Sequence, residues 1–455
     1  MKSLSASCVI LLTAALACGL VVPQAQAKVS AAEAAKLGNE LTPIGSEKAA
    51  NKDGTIPAWT PAAARGSLKG EYPSDPAIDG EKPLLTITQA NYQQYKDKLA
   101  EGYKELFRRY SDYKMNVYPS HRVVSFPDFI YKATAQNAVT CELIGTDSPD
   151  NCKQGFTFPI PKSGAEVIWN HRVRYRGDAA RRYNNQMIVQ TDGSFQQTKI
   201  IEEAKFYYAT QYNPIPLTKN SGLFIKYFSQ TLAPPRLAGT MILVHERAGV
   251  GNEGRAAWIY SPGLKRIRRA PTICCDGPYE GTDGHQFYDQ VDMFNGVMER
   301  FDWKLLGKRE MYIPYNSNLI GGQSIKYKDL AKPKHLNQNL PRYELHRVWV
   351  VESDLRPGTN HTFHKRMLYL DEDSWYPANI DDYDARNELF QFQEGHTAFA
   401  YNVQTVGGSP EVIYHFDSGR YFVTAMANED RPNDFSIKLD DAYFEPDSVQ
   451  KRSTK

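Results

Sequence analysis

Two arginine-rich stretches carry the most conspicuous chemistry in this chain. In Lys265-Arg266-Ile267-Arg268-Arg269, strand geometry puts Lys265, Ile267 and Arg269 on one face and Arg266 and Arg268 on the other. Whichever face turns inward carries two cations, and a buried cation persists only with a partner. One reading leaves the segment at the open end of a sheet, solvated or paired with acids such as Asp371 and Asp373. The other has the inward pair grip an anionic head group, phosphate or carboxylate, at a cavity mouth, a task suited to the planar fork of arginine. The candidate ligand-binding set is therefore Lys265, Arg266, Arg268 and Arg269, with Trp258 and Tyr260 just before them. A second alternation, Arg172, Arg174 and Arg176 against Val173 and Tyr175, reads as another strand.

Other chemistry-bearing groups point away from catalysis. Asp371-Glu372-Asp373 and Asp381-Asp382 hold enough carboxylates for an acid–base pair, but read as solvated loops or as partners for the Arg-rich strands. His361 and His364 fall on opposite faces of a strand and read as loop and edge residues. The sequence contains no Gly-x-Ser-x-Gly elbow, no His-Glu-x-x-His, no Walker loop and no Gly-x-Gly-x-x-Gly. Catalytic groups can still come from distant segments. The expectation is a non-enzyme that needs neither metal nor cofactor.

The first 27 residues have the form of a cleavable signal peptide: Lys2, an apolar run from Val9 to Val22, Pro23, and Ala25-Gln26-Ala27 at the cut. The run is short for a bilayer span, and no basic cluster follows it. A lipobox at Cys18 fits less well, because its leucine stands two residues before the cysteine instead of three. Cleavage after Ala27 places the mature chain in a periplasm. There, 53 of the 54 Lys and Arg remain against 52 Asp and Glu, which argues against a nucleic-acid partner. Four of the six cysteines also remain. Cys141 and Cys152 flank a turn-like stretch, Gly145 to Asn151, and are expected to be bonded. The adjacent Cys274 and Cys275 could form a vicinal bridge, stay reduced or cross-pair with the others. No histidine stands at zinc spacing from either pair.

The elements that would hold these groups are mostly strands. Val29 to Leu41 reads as a short helix capped by Ser30 and Glu33. Thr42 to Pro83 lacks periodicity and reads as an extended arm, so residues 28–83 form one region and 84–455 the main domain. The spacing of Tyr92, Tyr95, Leu99, Tyr103, Leu106 and Tyr110 predicts one helix over 88–110, capped by Thr88 and packed on a sheet or closing a cavity. Thr240–Glu246 reads as an apolar strand. Ala256–Tyr260 with Arg266–Ala270, Glu344–Ser353 with Lys365–Leu370, and Val412–Phe416 with Tyr421–Ala425 read as hairpins. Serial hairpins predict one long antiparallel sheet, curled or split.

Several ordered motifs carry a resemblance. They include Leu41-Thr42-Pro43-Ile44-Gly45, Asp53-Gly54-Thr55-Ile56-Pro57-Ala58-Trp59 and Val117-Tyr118-Pro119-Ser120-His121-Arg122. Gly164-Ala165-Glu166-Val167-Ile168-Trp169-Asn170-His171, Trp258-Ile259-Tyr260-Ser261-Pro262-Gly263, Glu344-Leu345-His346-Arg347-Val348-Trp349 and Tyr369-Leu370-Asp371-Glu372-Asp373-Ser374-Trp375 continue the series. Together they resemble the proteobacterial domain-of-unknown-function family 1329 over nearly the whole mature chain, with Cys274-Cys275 as a departure. The resemblance implies a fold like the LolA and LolB lipoprotein carriers. That fold is mainly β, a curved antiparallel sheet or half-open barrel with helices on its concave side. It also implies a resistance-nodulation-division type exporter and an outer-membrane protein as partners. The leading expectation is a periplasmic carrier or chaperone of a hydrophobic or amphipathic, lipid-like molecule. The alternatives are an adaptor that carries nothing and an unrecognised periplasmic hydrolase.

Overall fold

The computed structural model describes residues 28–219, 222–249 and 254–453. The signal-peptide reading lies outside the described residues. In chain order the elements begin with α1 (Ala31–Ala34), β1 (Leu85–Thr88), α2 (Glu101–Arg109), β2 (Lys114–Val117) and α3 (Asp128–Thr140). The β3–β4 hairpin (Glu142–Ile144, Ser148–Asp150) and α4 (Gly164–Arg172) follow. Next come β5 (Ala179–Val189), β6 (Phe195–Phe206), β7 (Leu223–Ala233), β8 (Met241–Arg247), β9 (Arg255–Ser261) and β10 (Arg266–Arg269). After a long irregular segment run β11 (Phe301–Pro314), α5 (Tyr327–Leu330), β12 (Tyr343–Leu355), β13 (Lys365–Asp371), β14 (Pro377–Tyr383), β15 (Leu389–Ala400), β16 (Thr405–His415) and β17 (Tyr421–Met426), then α6 (Pro446–Arg452).

Among the described residues, 15 strands form one sheet in the order β1-β2-β12-β13-β14-β15-β16-β17-β5-β6-β7-β8-β9-β10, with β11 also on β12. Its neighbours are antiparallel except β2 and β12, which touch in parallel at Val117 and Tyr343. The ends, β1 and β10, do not meet, so the sheet is open. A twisted sheet of this width curls.

Register defines the two faces. Val351, Leu368, Ile380, Gln393, Ile413, Phe422 and Ile188 are paired in succession across seven strands and share one face. Helix α4 packs on this face, with Gly164 against Val351. The opposite face carries Phe392, Tyr414, Tyr421 and Val189. Helix α2 lies there: Gly102 sits where an added Cβ would meet Phe392 at 2.0 Å, and Tyr103 donates to Glu394 at 2.8 Å. Helices therefore flank both faces instead of gathering on the concave one.

The helix expected over 88–110 is two pieces. Thr88 ends β1, Tyr92–Lys98 is a 3-10 turn, and Leu99 and Ala100 are extended before α2 begins. A remote group causes the break: the Asp381 carboxylate accepts the N–H groups of Glu101 (3.1 Å) and Gly102 (2.8 Å), so a side chain from β14 caps α2. Helix α1 keeps the predicted capping box, Ser30 with Glu33, but stops at Ala34 because it buries no side chain that could sustain a longer helix. The stretch Val173–Gly177 is not a strand. Ser163 accepts the Glu166 N–H and starts α4, and the chain leaves α4 at Arg172 in irregular backbone. Cys141 and Cys152 are bonded across the β3–β4 hairpin, with Cα atoms 4.6 Å apart. No described helix is long and apolar enough to cross a membrane.

Candidate ligand cavity

Eight neighbouring strands, β15-β16-β17-β5-β6-β7-β8-β9, contribute to the wall of one cavity of about 410 Å³. The even-numbered residues Ala180 and Arg182 of β5 line it, which places it on the α4 face. From there the register continues through Glu202, Ala204 and Phe206, then Ile225 and Tyr227, then Val244 and Glu246. A small apolar cluster, Ile200, Ile242, Ala257, Ile273, Tyr279 and Tyr288, joins the sheet to the irregular 270–295 segment that covers it. At the rim stand Arg65, paired with Asp75 at 3.2 Å, and the exposed Glu71.

The polar part of the wall comes from the exit of α4. Arg174 holds both oxygens of Asp292, at 2.6 and 2.9 Å, and Arg176 Nη1 reaches the same carboxylate at 2.9 Å. Asp292 (φ 58°) and Met293 (φ 65°) are both left-handed, a turn that brings this carboxylate to the two arginines. Burial opposes the Asp292 charge, but Arg174 and Arg176 prevail and hold its carboxyl well below the usual range. Burial and the repulsion of Arg174 lower Arg176 to about 10. Nearby, Arg182 pairs with Glu202, which also accepts from Tyr227 at 2.8 Å. Arg172 and Arg255 share Glu246, at 3.1 and 2.6 Å. Burial and Asp292 push Glu411 up to about 7, against the pull of its Tyr376 hydrogen bond. The buried wall carboxylates Glu202, Glu246 and Asp292 are thus bound to guanidiniums, an arrangement that binds and orients.

The arginines expected to bind a ligand are elsewhere. Strand β10 is the last of the sheet, so Arg266 and Arg268 stay exposed in water and need no buried partner. Lys265 is exposed in the turn, and Arg269 lies over the Trp258 ring at 4.9 Å. Tyr260 is buried on the sheet face opposite the cavity, with Phe228, Leu243, Phe444 and Val449. None of Lys265, Arg266, Arg268, Arg269, Trp258 and Tyr260 lines the cavity. Helix α6 finishes this margin: Gln450 accepts the Ile267 N–H at 2.8 Å and donates to the Lys265 carbonyl at 3.3 Å. The sequence did show Arg174 and Arg176, but their two-residue spacing read as a strand, and nothing local pointed to Asp292.

The acid runs are not solvated loops. Asp371, Glu372, Asp373, Asp381 and Asp382 are all buried. Arg122 binds both oxygens of Asp373 (2.7 and 2.8 Å), Glu372 (3.2 Å), and the carbonyls of Glu47 (2.7 Å) and Pro57 (3.2 Å), clamping the N-terminal arm to the sheet. Among the described residues, His346, Asp371 and Asp373 are close enough to share a metal ion, with donor atoms within 4.8 Å. Most of those donors are already engaged: Asp373 by Arg122, and His346 by Glu344 at 2.9 Å. Asp371 Oδ1 has no partner, but burial and Asp373 push that carboxyl up to about 7, so a proton can serve it at neutral pH. His361 is buried against Asp289 at 2.9 Å, not at an edge. Cys274 and Cys275 are unbonded, with sulfurs 2.7 Å apart. The Cys275 thiol donates to Cys274 and, with Arg300 and Arg255, lowers it to about 7.

Comparison with known proteins gives the following. The model of a family described as a protein of unknown function, DUF1329, matches residues 86–450. An uncharacterized protein of Pseudomonas aeruginosa is 42% identical over 461 residues, covering 98% of this chain and 99% of its own. Among solved structures, a putative outer membrane lipoprotein-sorting protein domain from Vibrio parahaemolyticus is 15% identical with a TM-score of 0.43, over 63% of this chain and 98% of that one. A DUF1329 family protein from Desulfovibrio piger is 12% identical with a TM-score of 0.43, over 63% and 97%. A LolA superfamily protein from Nitrosomonas europaea is 12% identical with a TM-score of 0.38, over 63% and 99%.

Proposed function

This chain belongs to the DUF1329 family, and from that premise we propose that it is a periplasmic carrier that shields a hydrophobic or amphipathic molecule between the inner and outer membranes. The cavity carries this reading. Its volume of about 410 Å³ falls within the roughly 300–1,000 Å³ usual for small-molecule sites. Its wall joins apolar side chains such as Ile225, Val244 and Phe206 to a few ordered charges. A closed, filled core would have favoured an adaptor that carries nothing. Glu202, Glu246 and Asp292 are each held by arginine, which favours binding over hydrolysis, a reaction that needs a free base or nucleophile. An exporter of the resistance-nodulation-division type and an outer-membrane protein are the proposed donor and acceptor.

Native mass spectrometry of the chain purified from a periplasm tests this. The expected result is a bound small amphiphile, absent from the Ala204→Trp variant, in which an indole fills the cavity. A wild-type protein free of adducts that also fails to take up any added amphiphile would overturn the carrier reading.

A further inference from the structure

The charges around the cavity do not balance at one place. Arg174 and Arg176 converge on the single carboxylate of Asp292. The other neighbours offer little compensation. Arg182 is taken by Glu202, and His171, 3.1 Å from Arg174, is buried and kept neutral by desolvation and by that arginine. Glu411, the remaining acid nearby, is pushed up to about 7 by burial. The Nε–H groups of both Arg174 and Arg176 are buried without a partner, and both side chains line the cavity. An unsatisfied buried donor is costly, and a charged one more so. Those Nε atoms are themselves shut off from the cavity, but the Arg176 side chain keeps 22% of its surface open, so its guanidinium can meet an acceptor that arrives with the ligand.

Resting on the carrier reading, we infer that Arg174 and Arg176 form the seat for one anionic head group, carboxylate or phosphate, whose apolar tail lies along Ile225, Val244 and Tyr279. Two guanidiniums with one shared carboxylate hold an excess positive charge, and guanidinium forks suit both head groups. The apolar cluster beyond them receives a chain that water rejects. The seat lies at the exit of α4, outside the sheet, and uses none of the exposed cations of β10.

The test uses delipidated full chain and four probes: dodecanoate, dodecyl phosphate, the neutral dodecanol, and inorganic phosphate. At least one of the two charged amphiphiles is expected to bind roughly tenfold tighter than dodecanol, the scale of one charge-assisted hydrogen bond. Which of them shows the gap identifies the head group. Inorganic phosphate alone is expected to bind more weakly than either amphiphile. Arg176→Gln should close the gap between the charged amphiphile and dodecanol to within about threefold. Equal wild-type affinity for dodecanol and both charged amphiphiles overturns the head-group seat and leaves the carrier reading standing, and this holds even if the variant does not fold. A gap that survives Arg176→Gln in a folded protein also overturns it. Failure of all three amphiphiles to bind overturns the carrier reading itself.

Discussion

Replacing Arg122 by alanine should free the N-terminal arm and strip a large part of the molecule's stability. Arg122 is 3% exposed and makes five hydrogen bonds, two to Asp373, one to Glu372 and two to arm carbonyls. Glu372 keeps Lys308 at 2.7 Å and Arg347 at 3.3 Å, so its loss is partial. Asp373, 2% exposed, loses its one guanidinium partner among the described residues. Breaking a buried pair on one side costs about 3–5 kcal/mol. Protonation sets a ceiling: neutralising a carboxylate of unfolded pKa near 3.9 at pH 7 costs about 4 kcal/mol. The expected loss is therefore about 3–4 kcal/mol, including the unpaired carbonyls of Glu47 and Pro57. Urea unfolding followed by tryptophan fluorescence measures it, and trypsin cleavage at the exposed Lys48 and Lys52 reports the arm. Adding Asp373→Ala should recover part of the loss. A change below about 1 kcal/mol with no faster arm cleavage would refute the clamp.

Three further outcomes follow from the same structure. Burial outweighs Arg366, which Asp382 shares with Asp289, and raises the Asp382 carboxyl to about 7. Since this lies above the unfolded value near 3.9, the stabilisation is complete below about pH 4 and lost as pH rises through 7. Relative to Asp382→Asn, the wild type should gain about 1.4 kcal/mol per pH unit as pH falls through that window, and a pH-independent difference would contradict it. Removing both Cys141 and Cys152, 11 positions apart, should cost roughly 3 kcal/mol in urea unfolding, and free-thiol labelling of both residues in the unreduced wild type would rule the bond out. Phe444, fully buried against Phe228 and Leu243, should cost about 3–5 kcal/mol on truncation to alanine, read as a drop in the urea midpoint.

What the sequence disclosed was what is decided locally. The Ser261–Leu264 turn brought β9 and β10 together, with Arg266 opposite Ser261. The segments around Asp417-Ser418-Gly419 paired as β16 and β17, and those around Pro357-Gly358 as β12 and β13. Turn chemistry and two-residue alternation specify such hairpins without outside help. Features decided by distant residues stayed hidden. The tyrosine stripe over 88–110 has helical spacing, but Asp381, nearly 280 positions away, sets where α2 starts. Asp371–Asp373 read as solvated or as partners for the Arg-rich strands, whereas Arg122 and Arg347 come from other segments to meet it. Likewise, the exposed arginines of β10 and the lining arginines after α4 look alike in sequence. Only the fold around Asp292 separates them.

The free margin of β10 has a consequence for how copies of this chain meet. A terminal strand offers peptide groups to any extended segment that drifts alongside, the first step toward stacking copies into a fibre. Here one side-chain amide imitates the missing neighbour: Gln450 answers the Ile267 N–H and the Lys265 carbonyl as a strand's own backbone would. Arg266 and Arg268 then make the seam repel a second seam of the same kind. This margin of the unclosed sheet is in this way covered by the last described helix, with no need for the strands to close into a barrel.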